Sequence, residues 1–222
     1  MAEEFLTDDE QVQEVKRLVR EYAPVLILGA VLGGGGLFGW RYYQSYQTGN
    51  ALKAADQFNA MSVALQTGDA KKARDLANGI VQNFSSLPYA DQARLALARM
   101  DVDEGHDANA VAPLTEVMNN SKDSELKHIA RLRLARVLID QGKPDDAIQL
   151  LAGATSGSFT GRYHQVHGDA LYAKKDAPAA IAEYKAALEH AADGGVDTAL
   201  VEMKLADLGA TEQPSANTKV KP

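Results

Sequence analysis

The sequence predicts an all-α protein: one apolar, glycine-rich helix near the N-terminus, followed by a solenoid of helical hairpins. Three observations carry this. Residues 22–40 contain no charged side chain. The segment "ARLALARM" at residues 93–100 returns as "ARLRLARV" at 130–137, identical at six of eight positions. Beyond Arg41 the apolar residues recur at helical spacing, with no strand-like alternation.

The N-terminal arm comes first, residues 1–21. Thr7-Asp8-Asp9-Glu10 has the form of a capping box, and Val12, Val15, Leu18, Val19 and Tyr22 follow at helical spacing. A short amphipathic lead-in helix is expected, ending at Pro24.

Residues 22–43 read as a transmembrane helix. A helix rises about 1.5 Å per residue, so 19 uncharged residues cover roughly 28 Å, close to a hydrocarbon core of about 30 Å. Glycine costs an aqueous helix about 1 kcal/mol per residue against alanine. In lipid the alternative is unsatisfied backbone groups at several kcal/mol each, so the helix wins. Gly29, Gly33 and Gly36 fall on one face with Trp40 at its outer end, a small-xxx-small stripe that lets a second helix approach. Lys16, Arg17 and Arg20 outnumber Arg41 and Lys53, placing the N-terminus inside and the larger C-terminal part outside, in the periplasm of a Gram-negative cell. Trp40, Tyr42, Tyr43 and Tyr46 then form the outer aromatic belt. Two rival readings fail. Gly34, Gly36 and Gly39 match G-x-G-x-x-G, with Asp56 downstream, but that motif must follow a strand. A cleaved signal peptide needs a basic start and a small-residue cleavage site, and neither is present, so an uncleaved signal-anchor is expected.

Residues 44–210 form the repeat domain. Gly68 with Ala73, Gly105 with Ala110 and Gly142 with Ala147 recur at offsets of 37, and Lys175 with Ala180 follows at 33, the range of helix-turn-helix repeats. The glycine supplies a left-handed turn and the alanine lets two backbones approach. The unit "HGDALYAKKDAPAAIAEYKAALEHA" resembles the tetratricopeptide consensus at Gly168, Leu171, Tyr172, Ala180, Tyr184, Ala187 and Leu188, while the first unit is degenerate. "GATSGSFTG" at 153–161 joins the third and fourth units, residues 196–208 form a capping helix, and 211–222 are too polar to fold.

Such repeats line a concave face with the first helix of each pair. That places Gln92, Leu95 and Arg99 beside Ile129, Leu132 and Arg136, with Arg162, Gln165 and Tyr172 beyond, as a protein-binding groove. The arginines either form a ladder that reads a ligand or solvate the array and pair with nearby acids.

The net charge of −7 argues against nucleic acid as a partner, and the absence of cysteine removes disulfides, thiolate nucleophiles and cysteine metal sites. His164 and His167 lack an evident third metal ligand. Asp101, Asp103 and Asp107 lack the glutamate that completes a calcium loop. No hydrolase, zinc-protease or P-loop motif occurs, so no catalytic residue, cofactor or metal is expected.

"DDEQVQEVKRLVREY", the span ending in "GWRYYQSYQ", the central "ARLRLARVLIDQGKPDDAIQLL" and the closing "VEMKLADL" together resemble the ancillary SecYEG translocon subunits, the YfgM-like family of Gram-negative bacteria. The resemblance implies a single-pass inner-membrane protein with a periplasmic tetratricopeptide-like domain. It implies a place beside the translocon and the membrane-anchored chaperone PpiD, helping exported proteins pass from channel to periplasmic chaperones. It also implies a link between the cytoplasmic arm and a response regulator of envelope stress. The residues alone reach a membrane-tethered, non-catalytic repeat scaffold, which would equally serve an envelope assembly complex unrelated to secretion.

Overall fold

A computed structural model describes residues 8–153 and 157–210. Thr7 of the capping box, residues 154–156 of the glycine-serine connection and the predicted tail at 211–222 lie outside the described residues. Among the described residues the regular structure is helical: α1 (Asp8–Gln66), α2 (Ala70–Asn83), α3 (Pro88–Asp103), α4 (Asp107–Asn120), α5 (Ser124–Asp140), α6 (Pro144–Leu151), α7 (Thr160–Ala173), α8 (Ala177–Glu189) and α9 (Thr198–Asp207), with short 3-10 turns at Gly157–Phe159 and Ala191–Asp193.

The chain divides into two units, Met1–Lys53 and Ala54–Pro222. In the first, α1 continues as helix through Pro24, where the lead-in was expected to end. A proline removes one backbone donor and clashes one turn back, which can kink a helix without stopping it. Gly33 to Gly36 are helical too, and no strand precedes them among the described residues, which excludes a phosphate-cradling loop. Ile27, Leu32, Leu37, Phe38 and Trp40 are all exposed, Phe38 by 80%. No helix among the described residues is long and apolar enough to cross a membrane. The side chains of Pro24, Val25, Leu26, Leu28, Ala30 and Val31, which make residues 22–40 an apolar run, are not among those described.

The second unit is a run of helical hairpins. Gly68, Gly105 and Gly142 take φ of 78°, 75° and 73° at the turns, and Lys175 takes 64° at the fourth. The residue after each donates its N–H to a carbonyl five positions back: Asp69 to Ala64, His106 to Asp101, Lys143 to Leu138 and Asp176 to Leu171, at 2.7–3.0 Å. This bond satisfies carbonyls that a helix end leaves without partners. The side chains of Asp69 and Asp176 then cap α2 and α8 by accepting from Lys72 N and Ala179 N.

The four predicted alanines, Ala73, Ala110, Ala147 and Ala180, have no exposed surface. Around them the core is layered. Met61, Ala77, Ile80 and Ala93 join the end of α1 to α2 and α3. Leu95, Leu114, Val117 and Leu134 join α3, α4 and α5. Leu132, Leu151, Tyr163 and Val166 join α5, α6 and α7. Val201 and Leu205 seat α9 on Ala180 and Tyr184 of α8, closing that end of the array where the capping helix was expected. Each fully buried large apolar side chain contributes about 1.5–3 kcal/mol relative to exposure, so stability accrues repeat by repeat.

Candidate protein-binding groove

The first helix of each hairpin offers one face to its own partner and another to the next hairpin, leaving a third free. Where α3, α4 and α5 meet, that third face opens a pocket of roughly 320 Å³ walled by Arg99, Arg133, Arg136 and Asp140, with Ala98, Val102, Leu114 and Val137 beneath. A second pocket of roughly 440 Å³ shares Arg136 and Asp140 and continues along α7 to α9, past Asp169, Tyr172, Met203 and Lys204. The two form one groove with Arg136 at its middle.

The arginine end carries excess charge. Arg133 Nη1 donates to the Leu95 carbonyl at 3.4 Å, and Arg99 Nε lies 3.5 Å from Asp103 with both side chains largely exposed, a pairing that contributes little. Arg133 and Arg136 reach open surface, yet the pocket walls strip water from them: desolvation is the main cause lowering both guanidinium pKa values. For Arg133 the charges of Arg99 and Arg136 lower it further. Desolvation likewise raises Asp140, with Asp107 and Asp169 adding to the rise and Arg136 opposing it. At the other end Asp169 is neutralised locally, accepting from the Tyr184 hydroxyl at 2.8 Å and from Lys204 Nζ. Burial first, and the Asp169 charge second, push the Tyr184 phenol far above its usual value.

The structure therefore brings Arg99, Arg136 and Tyr172 into the groove wall. Leu95 and Leu132 are 7% and 3% exposed and belong to the interior layers. Gln165 is also buried, while Gln92 and Ile129 are half-buried. Arg162 folds over the Phe159 ring, 5.1 Å from its centroid. Its Nε is buried without a hydrogen-bond partner. The lining instead runs one turn further toward each helix's C-terminal end, through Val102, Asp140 and Asp169, so Arg133, Asp140 and Asp169 were missed. The signal available was the i, i+3, i+7 spacing of Arg133, Arg136 and Asp140.

His164 and His167 do meet a third group. Glu183 accepts from His164 Nδ1 at 2.7 Å and sits 3.1 Å from His167 Nδ1, tying α7 to α8. Among the described residues no group of three or more histidines and carboxylates could hold a metal ion. Asp101 of the calcium-like triplet is buried, and its carboxylate accepts from Arg74 Nη1 at 2.7 Å while Glu104 takes Nη2 at 3.0 Å. These two carboxylates are the main cause of a raised Arg74 pKa.

On α1, a Cβ added at Gly29, Gly33 or Gly36 would meet nothing within 4 Å, and Trp40 is 65% exposed. Among the described residues the stripe has no partner.

The tetratricopeptide repeat-like domain family matches residues 16–210. The chain is similar to the ancillary SecYEG translocon subunit of Haemophilus influenzae, 29% identical over 205 residues that span 91% of this chain and 98% of that protein. It is equally similar to the subunit of that name in Escherichia coli, 29% identical over 199 residues, 90% of this chain and 94% of the other. The counterpart in Aggregatibacter actinomycetemcomitans is 27% identical over 208 residues, covering 91% and 98%.

Proposed function

The chain belongs to the tetratricopeptide repeat-like domain family, and from that premise we propose that it is a non-enzymatic scaffold, anchored in the bacterial inner membrane, that binds the SecYEG translocon. What carries this reading is the likeness, over about nine-tenths of the chain, to three proteins named as ancillary SecYEG translocon subunits. The role extends to a PpiD-type membrane-anchored chaperone, with exported proteins passing from the channel to periplasmic chaperones beside the repeat domain.

The mechanism is tethering. Residues 22–43 act as the single membrane helix, N-terminus cytoplasmic, and lipid covers the exposed Leu32, Leu37 and Phe38. Gly29, Gly33, Gly36 and Trp40 present the face that packs against a translocon or chaperone helix. The repeat domain then stays in the periplasm within a few nanometres of the channel. Confinement raises the effective concentration of its partners to about the millimolar range, so modest groove affinity suffices. The acidic arm, residues 1–21, is left on the cytoplasmic side as the contact for a response regulator.

Photocrosslinking in cells from residues 29, 33 and 99 tests the role. Adducts with translocon or chaperone subunits support it; adducts with cell-wall or outer-envelope factors alone move the protein to an envelope assembly complex. Protease treatment of spheroplasts tests the topology, since a periplasmic repeat domain is digested once the outer membrane is open.

A further inference from the structure

Resting on the groove's role as a protein-binding surface, we infer that the pocket between α3, α4 and α5 takes an extended acidic peptide segment, its carboxylates held by Arg99, Arg133 and Arg136 and an apolar side chain seated on the exposed Val102, above the buried Leu114 and Val137. Three guanidiniums share one pocket with a single carboxylate on its wall, Asp140. None of the three is well satisfied inside the chain. Arg136 has no hydrogen bond or ion pair among the described residues, Arg133 reaches one carbonyl at 3.4 Å, and Arg99 meets Asp103 only at 3.5 Å in the open.

Arg133 is repelled by Arg99 and Arg136, and both Arg133 and Arg136 are partly desolvated, a cost that an arriving anion offsets. Asp169 in the adjoining pocket and Asp140 both attract Arg136 without bonding to it, and Asp169 is shared with Lys204 and Tyr184. The planar fork of a guanidinium fits a carboxylate in two parallel hydrogen bonds, which sets register along a peptide. The apolar floor separates this occupant from a free phosphate, which has nothing to place there.

The test uses the full-length protein in detergent micelles and fluorescence anisotropy with a short capped peptide alternating leucine and glutamate, against its glutamine and lysine counterparts. The glutamate peptide binds roughly tenfold or more tightly than either, and the advantage shrinks as salt rises. Arg136→Gln abolishes most of it while leaving the melting temperature unchanged, and Arg136→Lys restores part of it. Equal binding of the glutamate and glutamine peptides overturns the inference, as does an unaltered Arg136→Gln, or inorganic phosphate competing as well as the peptide. If the preference is absent while photocrosslinks from residue 99 still capture a protein partner, the acidic specificity falls and the groove reading stands. If both are absent, both fall.

Discussion

Lys175 holds the same left-handed backbone as Gly142, φ 64° against 73°, each at the turn of a helical hairpin. The geometry is required at both places, because the next N–H must reach back to Leu138 or Leu171. Lysine carries a Cβ that this backbone disfavours by about 1 kcal/mol, and its side chain is exposed, so little is lost on removing it. Lys175→Gly is therefore expected to raise the melting temperature of the repeat domain by a few degrees. Gly142→Ala lowers it by a comparable amount. Thermal unfolding of both full-length variants in the same detergent decides the matter.

Gly168 faces the Tyr184 ring so closely that an added Cβ would lie 2.7 Å from two ring carbons. Tyr184 is fully buried and its hydroxyl donates to Asp169, so the ring cannot yield without breaking that bond. Gly168→Ala is expected to cost about 1–3 kcal/mol, the range for overpacked cores. Tyr184→Phe keeps the packing and removes one hydrogen bond to a carboxylate, at about 1–2 kcal/mol. Urea denaturation should rank wild type above both variants; a neutral Gly168→Ala would mean the α7–α8 contact is looser than described.

The repeat architecture was legible because its turns are local chemistry. A glycine every 37 residues and an alanine five later announce a hairpin without knowledge of its neighbours, and even the deviant Lys175 was assigned by its offset. The groove was only half legible. Helical spacing tells which residues share a stripe, but whether the stripe faces the groove or the interior depends on how each helix is rotated against the next. Thus Arg99 and Arg136 were assigned to the wall, while Leu95 and Leu132, one turn earlier on the same stripes, pack inside. Pairings across repeats leave no trace in spacing. Arg74 finds Asp101 across 27 residues and His164 finds Glu183 across 19, and neither could be read from the chain.

His128 supplies a pH dependence. Its Nδ1 lies 2.9 Å from the Tyr163 hydroxyl and its ring stacks on Phe159 at 4.9 Å, joining α5 to α7. Desolvation first and the Arg131 charge second lower its pKa below the usual 6.5. In the folded state the ring therefore takes up a proton less readily than in the unfolded chain. By linkage its contribution is fully present above about pH 6.5 and is lost as pH falls below that. The urea midpoint of wild type should drop between pH 7.5 and 5.5 by more than that of His128→Gln, which has no proton to gain. Equal drops would remove His128 as the source of the acid sensitivity.

Substitutions at Gly29, Gly33 and Gly36 test helix association apart from the folding of the repeat domain. Among the described residues nothing lies within 4 Å of a Cβ placed on any of them, so a larger side chain meets no obstacle there. Replacing glycine also raises helix propensity, by up to about 1 kcal/mol per position for alanine. Substituting all three by leucine should therefore leave the thermal unfolding of the repeat domain unchanged. If the stripe is the surface on which another helix packs, the same leucines hold that helix off, and photocrosslinks from residue 33 should fall several-fold against wild type. An alanine triple should lose less than the leucine triple, since the barrier grows with side-chain volume. Leucine variants that crosslink as well as wild type would remove the glycine face from the contact and leave Trp40 and the aromatic residues after it as the part of α1 to substitute next.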